Sequence, residues 1–166
     1  MPLNNFDRTL TWSDFNQQLG QPGGVTEFAQ IHPDIAPGEF VLGRVRNAIT
    51  ITDVTIDLNL IAEDCWVVAS RMTDDLLKHE QGHYDILAIG TREFYNTLVG
   101  LSSSTTNALQ RRVNQLKERF AQQATRVDAR YDTKTNHGIN TSVQQTWDQK
   151  IAAAKTNPRG RLADLP

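Results

Sequence analysis

One cysteine, Cys65, is all the thiol the chain has, so an intramolecular disulfide and a cysteine zinc cluster are both excluded. Any metal would have to be bound through nitrogen and oxygen. The flank Cys65-Trp66-Val67-Val68-Ala69 is apolar, which reads Cys65 as a small core residue and not a reactive thiol. No apolar run approaches the length of a membrane span, so no membrane partner is expected. Net charge is nearly absent as well: at −2, with a pI near 6.1, nothing favours a nucleic-acid backbone as partner. Residues Met1 to Asp7 lack the basic start and apolar stretch of a secretory signal. Repeats, low-complexity segments and linkers are also missing. With 39% hydrophobic residues in 166, the expectation is a single domain over residues 1–166, its tail irregular from about 156.

What is present is an order, strands first and helices after, which predicts an α+β fold. Leu10 to Leu19 reads as a strand turning into a short helical piece, with Ser13 or Asp14 able to cap it. A short strand is expected within Val25–Ile31. The clearest strand pattern runs from Phe40 to Ile61, where Val54, Ile56, Leu58 and Leu60 alternate with polar residues. Its parity changes after Ile51, which places a turn or bulge at Thr52-Asp53 in a small antiparallel sheet. Cys65 to Ala69 resembles one more short strand.

Three helices should follow. Thr73 with Asp74 and Asp75 makes a good start, so the first runs from about Asp74 to Leu98 and stops at Gly100. Leu76, Leu77, Tyr84, Leu87, Ala88, Phe94 and Leu98 form its apolar side, and Lys78, Arg92 and Glu93 are expected to face water. Leu109, Val113, Leu116, Phe120, Ala124 and Val127 recur at threes and fours, predicting a long amphipathic helix antiparallel to the first. Tyr131 to Gly138 shows no periodicity and reads as a loop. The last helix spans about Thr141–Ala154 on Val143, Trp147 and Ile151.

Chemistry concentrates in His79-Glu80-Gln81-Gly82-His83 on the first helix. Residues four apart share a helix face, so both imidazoles can hold one ion while Glu80 points at its open side. That is the H-E-x-x-H arrangement, in which the glutamate is a general base. A catalytic zinc needs a third protein ligand. The metzincin continuation is absent, because Ile86 and Ile89 stand where glycine and histidine would. This leaves His32, in a proline-flanked turn, and the segment with Asp132 and His137, which spacing favours because it follows a helix packed on the motif helix.

The chain resembles a bacterial family of predicted secreted zinc-dependent proteases with an HEQGH motif. Its marks are Thr11-Trp12-Ser13-Asp14-Phe15, Cys65-Trp66-Val67, Leu77 to Ile86, Tyr131-Asp132 with Thr135 and His137-Gly138, and Gln145-Thr146-Trp147. They cover the chain from roughly residue 11 to 151. Tyr84 stands where the family pattern has phenylalanine. The resemblance implies a zincin-like active-site helix, one zinc ion on His79, His83 and His137, Glu80 as base, and a secreted or periplasmic setting; the missing signal leaves a cytoplasmic one open.

From these residues the expected activity is that of a zinc metallopeptidase acting on a peptide or protein substrate, with Glu80 shuttling the proton. Tyr131 is a candidate donor to the oxyanion, and Asp132 a candidate orienter of a ligand imidazole. A substrate strand would pair with an edge of the Phe40–Ile61 sheet. The alternatives are a zinc-stabilised binding or structural module, against which Glu80 counts, and a metal-free helical interaction domain.

Overall fold

The computed structural model describes residues 3–166. Its elements, in chain order, are β1 (Leu3–Asn4), β2 (Asn16–Gln18), β3 (Ala29–Gln30), β4 (Pro33–Val45), β5 (Ala48–Leu60), β6 (Trp66–Val68), α1 (Asp74–Leu98), β7 (Ser102–Ser103), α2 (Thr106–Thr135) and α3 (Thr141–Thr156). This is the α+β order that the sequence predicts, and α1 has the expected bounds.

Two sheets precede the helices. In one, β1 and β7 pair with β5, and β5 pairs along its length with β4; in the other, β6 lies between β2 and β3. The sheets are mixed and not purely antiparallel, since β1 runs parallel to β5 and β2 parallel to β6. The parity change in the Phe40–Ile61 pattern is a bulge: Val41 pairs with Asp53 and Leu42 with Ile51, so Thr52 is the extra residue. The hairpin turns six residues earlier, between Val45 and Ala48, where Arg46 takes a positive φ of 55°. Near the N-terminus the expected order is reversed: a 3₁₀ turn at Trp12–Asp14 comes first, with Thr11 as its N-cap, and β2 follows.

Helix α1 starts where Thr73 accepts a hydrogen bond from the Leu76 N–H at 3.2 Å. It ends before Gly100, whose φ of +90° is open to glycine and strained for other residues. Every apolar cluster of the fold uses this helix. Phe94 and Leu98 pack with Ile51, Val54 and Ile56 of β5; Tyr84 and Ala88 pack with Leu58, Cys65 and Val67; Ile86 and Ile89 pack with Ala124, Trp147 and Leu162. Cys65 is fully buried, as its flank implies.

The expectation for Arg92 on α1 is corrected. Arg92 does not face water: it is 2% exposed. Its guanidinium donates to the carbonyls of Ala154 at 2.7 Å, Lys155 at 2.8 Å and Gly160 at 2.8 Å. Glu93 accepts the Leu162 N–H at 2.9 Å. These bonds collect the otherwise unpaired carbonyls at the end of α3 and fasten the tail, where Leu162 and Leu165 are buried and Leu162–Asp164 forms a 3₁₀ turn. The tail, largely irregular, is thus packed on the core through Leu162 and Leu165.

The largest departure is at the end of α2. Its 30 residues extend to Thr135, so Tyr131 and Asp132 are helical and the expected loop begins only at Asn136. The reason is visible in the packing, because Ala124, Val127, Tyr131 and Thr135 are all buried and continue the three-and-four spacing. Thr135 is polar only in name here, since its hydroxyl donates to the Tyr131 carbonyl at 2.7 Å.

Candidate metal centre

Antiparallel packing of α1 and α2 sets two pairs of residues, each four apart, against each other. His79 and His83 on α1 face Asp132 and Asp128 on α2: His79 Nε2 lies 3.1 Å from Asp132 Oδ1, and His83 Nδ1 lies 2.6 Å from Asp128 Oδ1. The helices can approach this closely because residue 82 is glycine. A Cβ there would stand 2.2 Å from the Tyr131 hydroxyl oxygen. Gly82→Ala is therefore expected to destabilise the fold by about 1–3 kcal/mol or more through overpacking, read as a lower midpoint in denaturant with an unchanged slope.

The histidines turn their Nε2 atoms to one point. These two atoms are 3.2 Å apart, and Asp132 Oδ1 is 3.1 Å from one and 3.0 Å from the other. Ligand atoms 2.0–2.1 Å from one tetrahedral ion stand about 3.3 Å apart, so the triangle has the dimensions of one face of a zinc site. The outer nitrogens are committed elsewhere. His79 Nδ1–H donates to Gln144 Oε1 at 3.0 Å, while the same amide donates to Asp148 Oδ1 at 2.7 Å and to the Tyr131 hydroxyl. His83 Nδ1 is held by Asp128. Both imidazoles are thus held through Nδ1 with Nε2 turned toward Asp132, the second-sphere arrangement of metal-ligating histidines.

His137 arrives at the same place from beyond the helix. Asn136, His137 and Gly138 take positive φ of 50°, 52° and 80° in succession, which folds the chain back over α1. Gly138 sits directly on His79, where a Cβ would lie 3.1 Å from the histidine's own Cβ. The His137 ring, 39% exposed, spans from Asp132 Oδ1 at 3.3 Å to Glu27 Oε1 at 3.9 Å. One ligand atom each of His79, Asp132 and His137 falls within 4.8 Å of the others, a group able to hold a metal ion. His32 lies apart from this group and pairs with Asp64 at 3.5 Å.

The charges suit a cation. Burial opposes ionisation of Asp132, but hydrogen bonds from His79 and His83 outweigh it and hold its carboxyl well below the usual range. Burial likewise opposes a proton on His83, and the hydrogen bonds to Asp128 and Asp132 again outweigh it, raising its pKa well above the ordinary value. Two carboxylates therefore favour positive charge between these helices. Glu80 is different: 3% exposed and pushed above its usual pKa by burial, it makes no hydrogen bond among the described residues. Its carboxyl lines a cleft of about 580 Å³ together with His79, His83, Asp132 and His137.

Two expectations about the surroundings change. Tyr131 is fully buried, and its hydroxyl donates to the His79 carbonyl at 3.1 Å and accepts from Gln144. It stacks on the His79 ring at 4.8 Å and does not line the cleft, so it supports the ligand helix and cannot donate to a bound substrate. The far wall of the cleft is Val25 to Ile31, including β3, and not the Phe40–Ile61 hairpin. Asp128, Gln144 and the wall segment were not singled out by sequence reasoning. Asp128 was findable, since Asp128 and Asp132 repeat the four-residue spacing of the histidines on the next helix.

An α+β protein with a histidine–carboxylate cluster between antiparallel helices is what fold and site define together. The family model described as "Bacterial protein of unknown function (DUF922)" matches residues 44–138, more than half of the chain. The chain belongs to that family. The matched region carries His79, Glu80, His83, Asp128, Asp132 and His137, so the whole cluster lies within the family's own segment. No curated protein and no solved structure matches the chain.

Proposed function

We propose that this protein is a zinc-dependent endopeptidase whose ion is held by His79 and His83 through Nε2 and by Asp132, with Glu80 as general base and His137 on the cleft side. The observation that carries the reading is the convergence of the two Nε2 atoms, each with its Nδ1 tied to an outer partner, beside a buried carboxylate open to the cleft. A zinc ion bound this way lowers the pKa of a coordinated water to about 7.

The chain's own groups supply the rest. Glu80 accepts the proton of the attacking water and returns it to the leaving nitrogen. His137, exposed above the cluster, is placed to donate to the carbonyl oxygen of the bond under attack, the role Tyr131 cannot fill. β3 ends its sheet, paired with β6 alone among the described residues, and its residues line the cleft, so its unpaired edge is where a substrate main chain would add. Binding through the main chain makes the substrate an extended peptide or unfolded protein.

The test is metal analysis coupled to turnover. The purified protein should carry about one zinc per chain. Hydrolysis of an unfolded protein should stop on chelation and return with added zinc. Stoichiometric zinc with no hydrolysis across a broad panel of unfolded proteins and peptides would instead leave a zinc-stabilised binding module.

A further inference from the structure

A second cavity, of about 440 Å³, opens beside the cleft, and the two share Gln30, Ile31, His83 and Asp128 as walls. Glu80, His79 and His137 line the cleft alone, so the second cavity lies past His83. Its lining is largely apolar, with Ile35, Ile86, Leu87, Phe94 and Phe120, while Asp34, Lys117, His32 and the shared His83 and Asp128 are its ionisable groups. Where α2 borders this cavity after Phe120 it carries Ala121, Ala124 and Thr125, side chains too small to fill the space. The far wall of the cleft continues along both cavities, since Gln30, which ends β3, and Ile31, just beyond it, border each of them.

We infer that this cavity is a specificity pocket for one bulky apolar side chain, leucine- or phenylalanine-like, on the substrate residue next to the scissile bond. The inference rests on the peptidase reading given above, since it takes the bond under attack to lie at His79 and His83. A peptide paired with β3 is carried past His83 along the Gln30-Ile31 wall that the two cavities share. The side chain that turns inward there meets Ile86, Leu87 and Phe120. Burial of that side chain fixes the register of an otherwise sequence-blind main-chain interaction.

The probes are acetylated amino-acid hydroxamates with glycine, leucine, phenylalanine or aspartate side chains, titrated calorimetrically into the zinc-loaded protein. Leucine and phenylalanine forms should bind at least about tenfold more tightly than the glycine form, and the aspartate form more weakly than glycine. Ala121→Phe, at an exposed position of α2 that lines the pocket, should bring the leucine-to-glycine ratio close to one. Thr125→Phe is a second filling variant on the same wall. Equal binding of all four probes, or an unchanged ratio in both variants, overturns the pocket even if peptides are cleaved. An apolar preference erased by filling, in a protein that cleaves nothing, upholds the pocket and overturns the peptidase reading. No binding by any hydroxamate overturns both.

Discussion

Glu80→Gln should keep its zinc, lose hydrolysis by about 10²–10⁴-fold, and fold at least as stably as the parent. The three outcomes come from one feature of the position. Glu80 lies about 100° round the helix from His79, so it is not in the triangle of Nε2 atoms and Asp132, and metal affinity should not depend on it. Its carboxylate is 3% exposed and makes no hydrogen bond among the described residues, a costly state for an ionised group. A neutral amide of the same shape removes that cost, so the variant should be equal in stability or up to about 2 kcal/mol more stable. A glutamate kept for the fold would behave oppositely, losing stability when neutralised. Zinc content, thermal midpoint and turnover measured on one preparation separate the roles, and an equally active Glu80→Gln would end the general-base assignment.

How far the sequence shows this site depends on which physical rule governs each part. His79, Glu80 and His83 are legible because helical spacing alone decides their geometry, and Thr73 and Gly100 mark the helix ends by chemistry that needs no tertiary partner. The helical state of Tyr131 and Asp132 is not legible by counting apolar residues. There the spacing is carried on by Tyr131 and Thr135, a polar residue that hides its hydroxyl on its own helix. Arg92 fails for a related reason: a charged residue is expected outside unless carbonyls that no local pattern reveals, those of Ala154, Lys155 and Gly160, are waiting inside. The cleft wall at Val25–Ile31 is set by pairing to β6 across nearly forty residues of sequence, which composition does not encode. The hairpin, by contrast, announced its bulge at Thr52 through parity alone, because a one-residue slip must switch faces.

The third ligand of the proposed zinc site yields the second large effect. Asp132→Ala should cost far more zinc affinity than His137→Ala, with Asp128→Asn as the internal scale. Asp128 touches only the outer nitrogen of His83, at 2.6 Å, and losing such a partner typically weakens metal binding 10–100-fold. Asp132 Oδ1 closes the triangle with both Nε2 atoms at 3.1 and 3.0 Å and is fixed by a helix in register with α1, so its loss should exceed that scale. His137 stands beyond the helix end on left-handed backbone, 39% exposed and shared between Asp132 and Glu27. Removing it should leave zinc affinity within about tenfold and lower kcat with little change in KM, as expected for a donor used mainly in the transition state. If His137→Ala instead abolishes binding while Asp132→Ala falls on the Asp128→Asn scale, the ion is held by three imidazoles and Asp132 is their orienting acceptor. Metal titrations of the three variants decide between these sets because the predicted order of losses reverses between them.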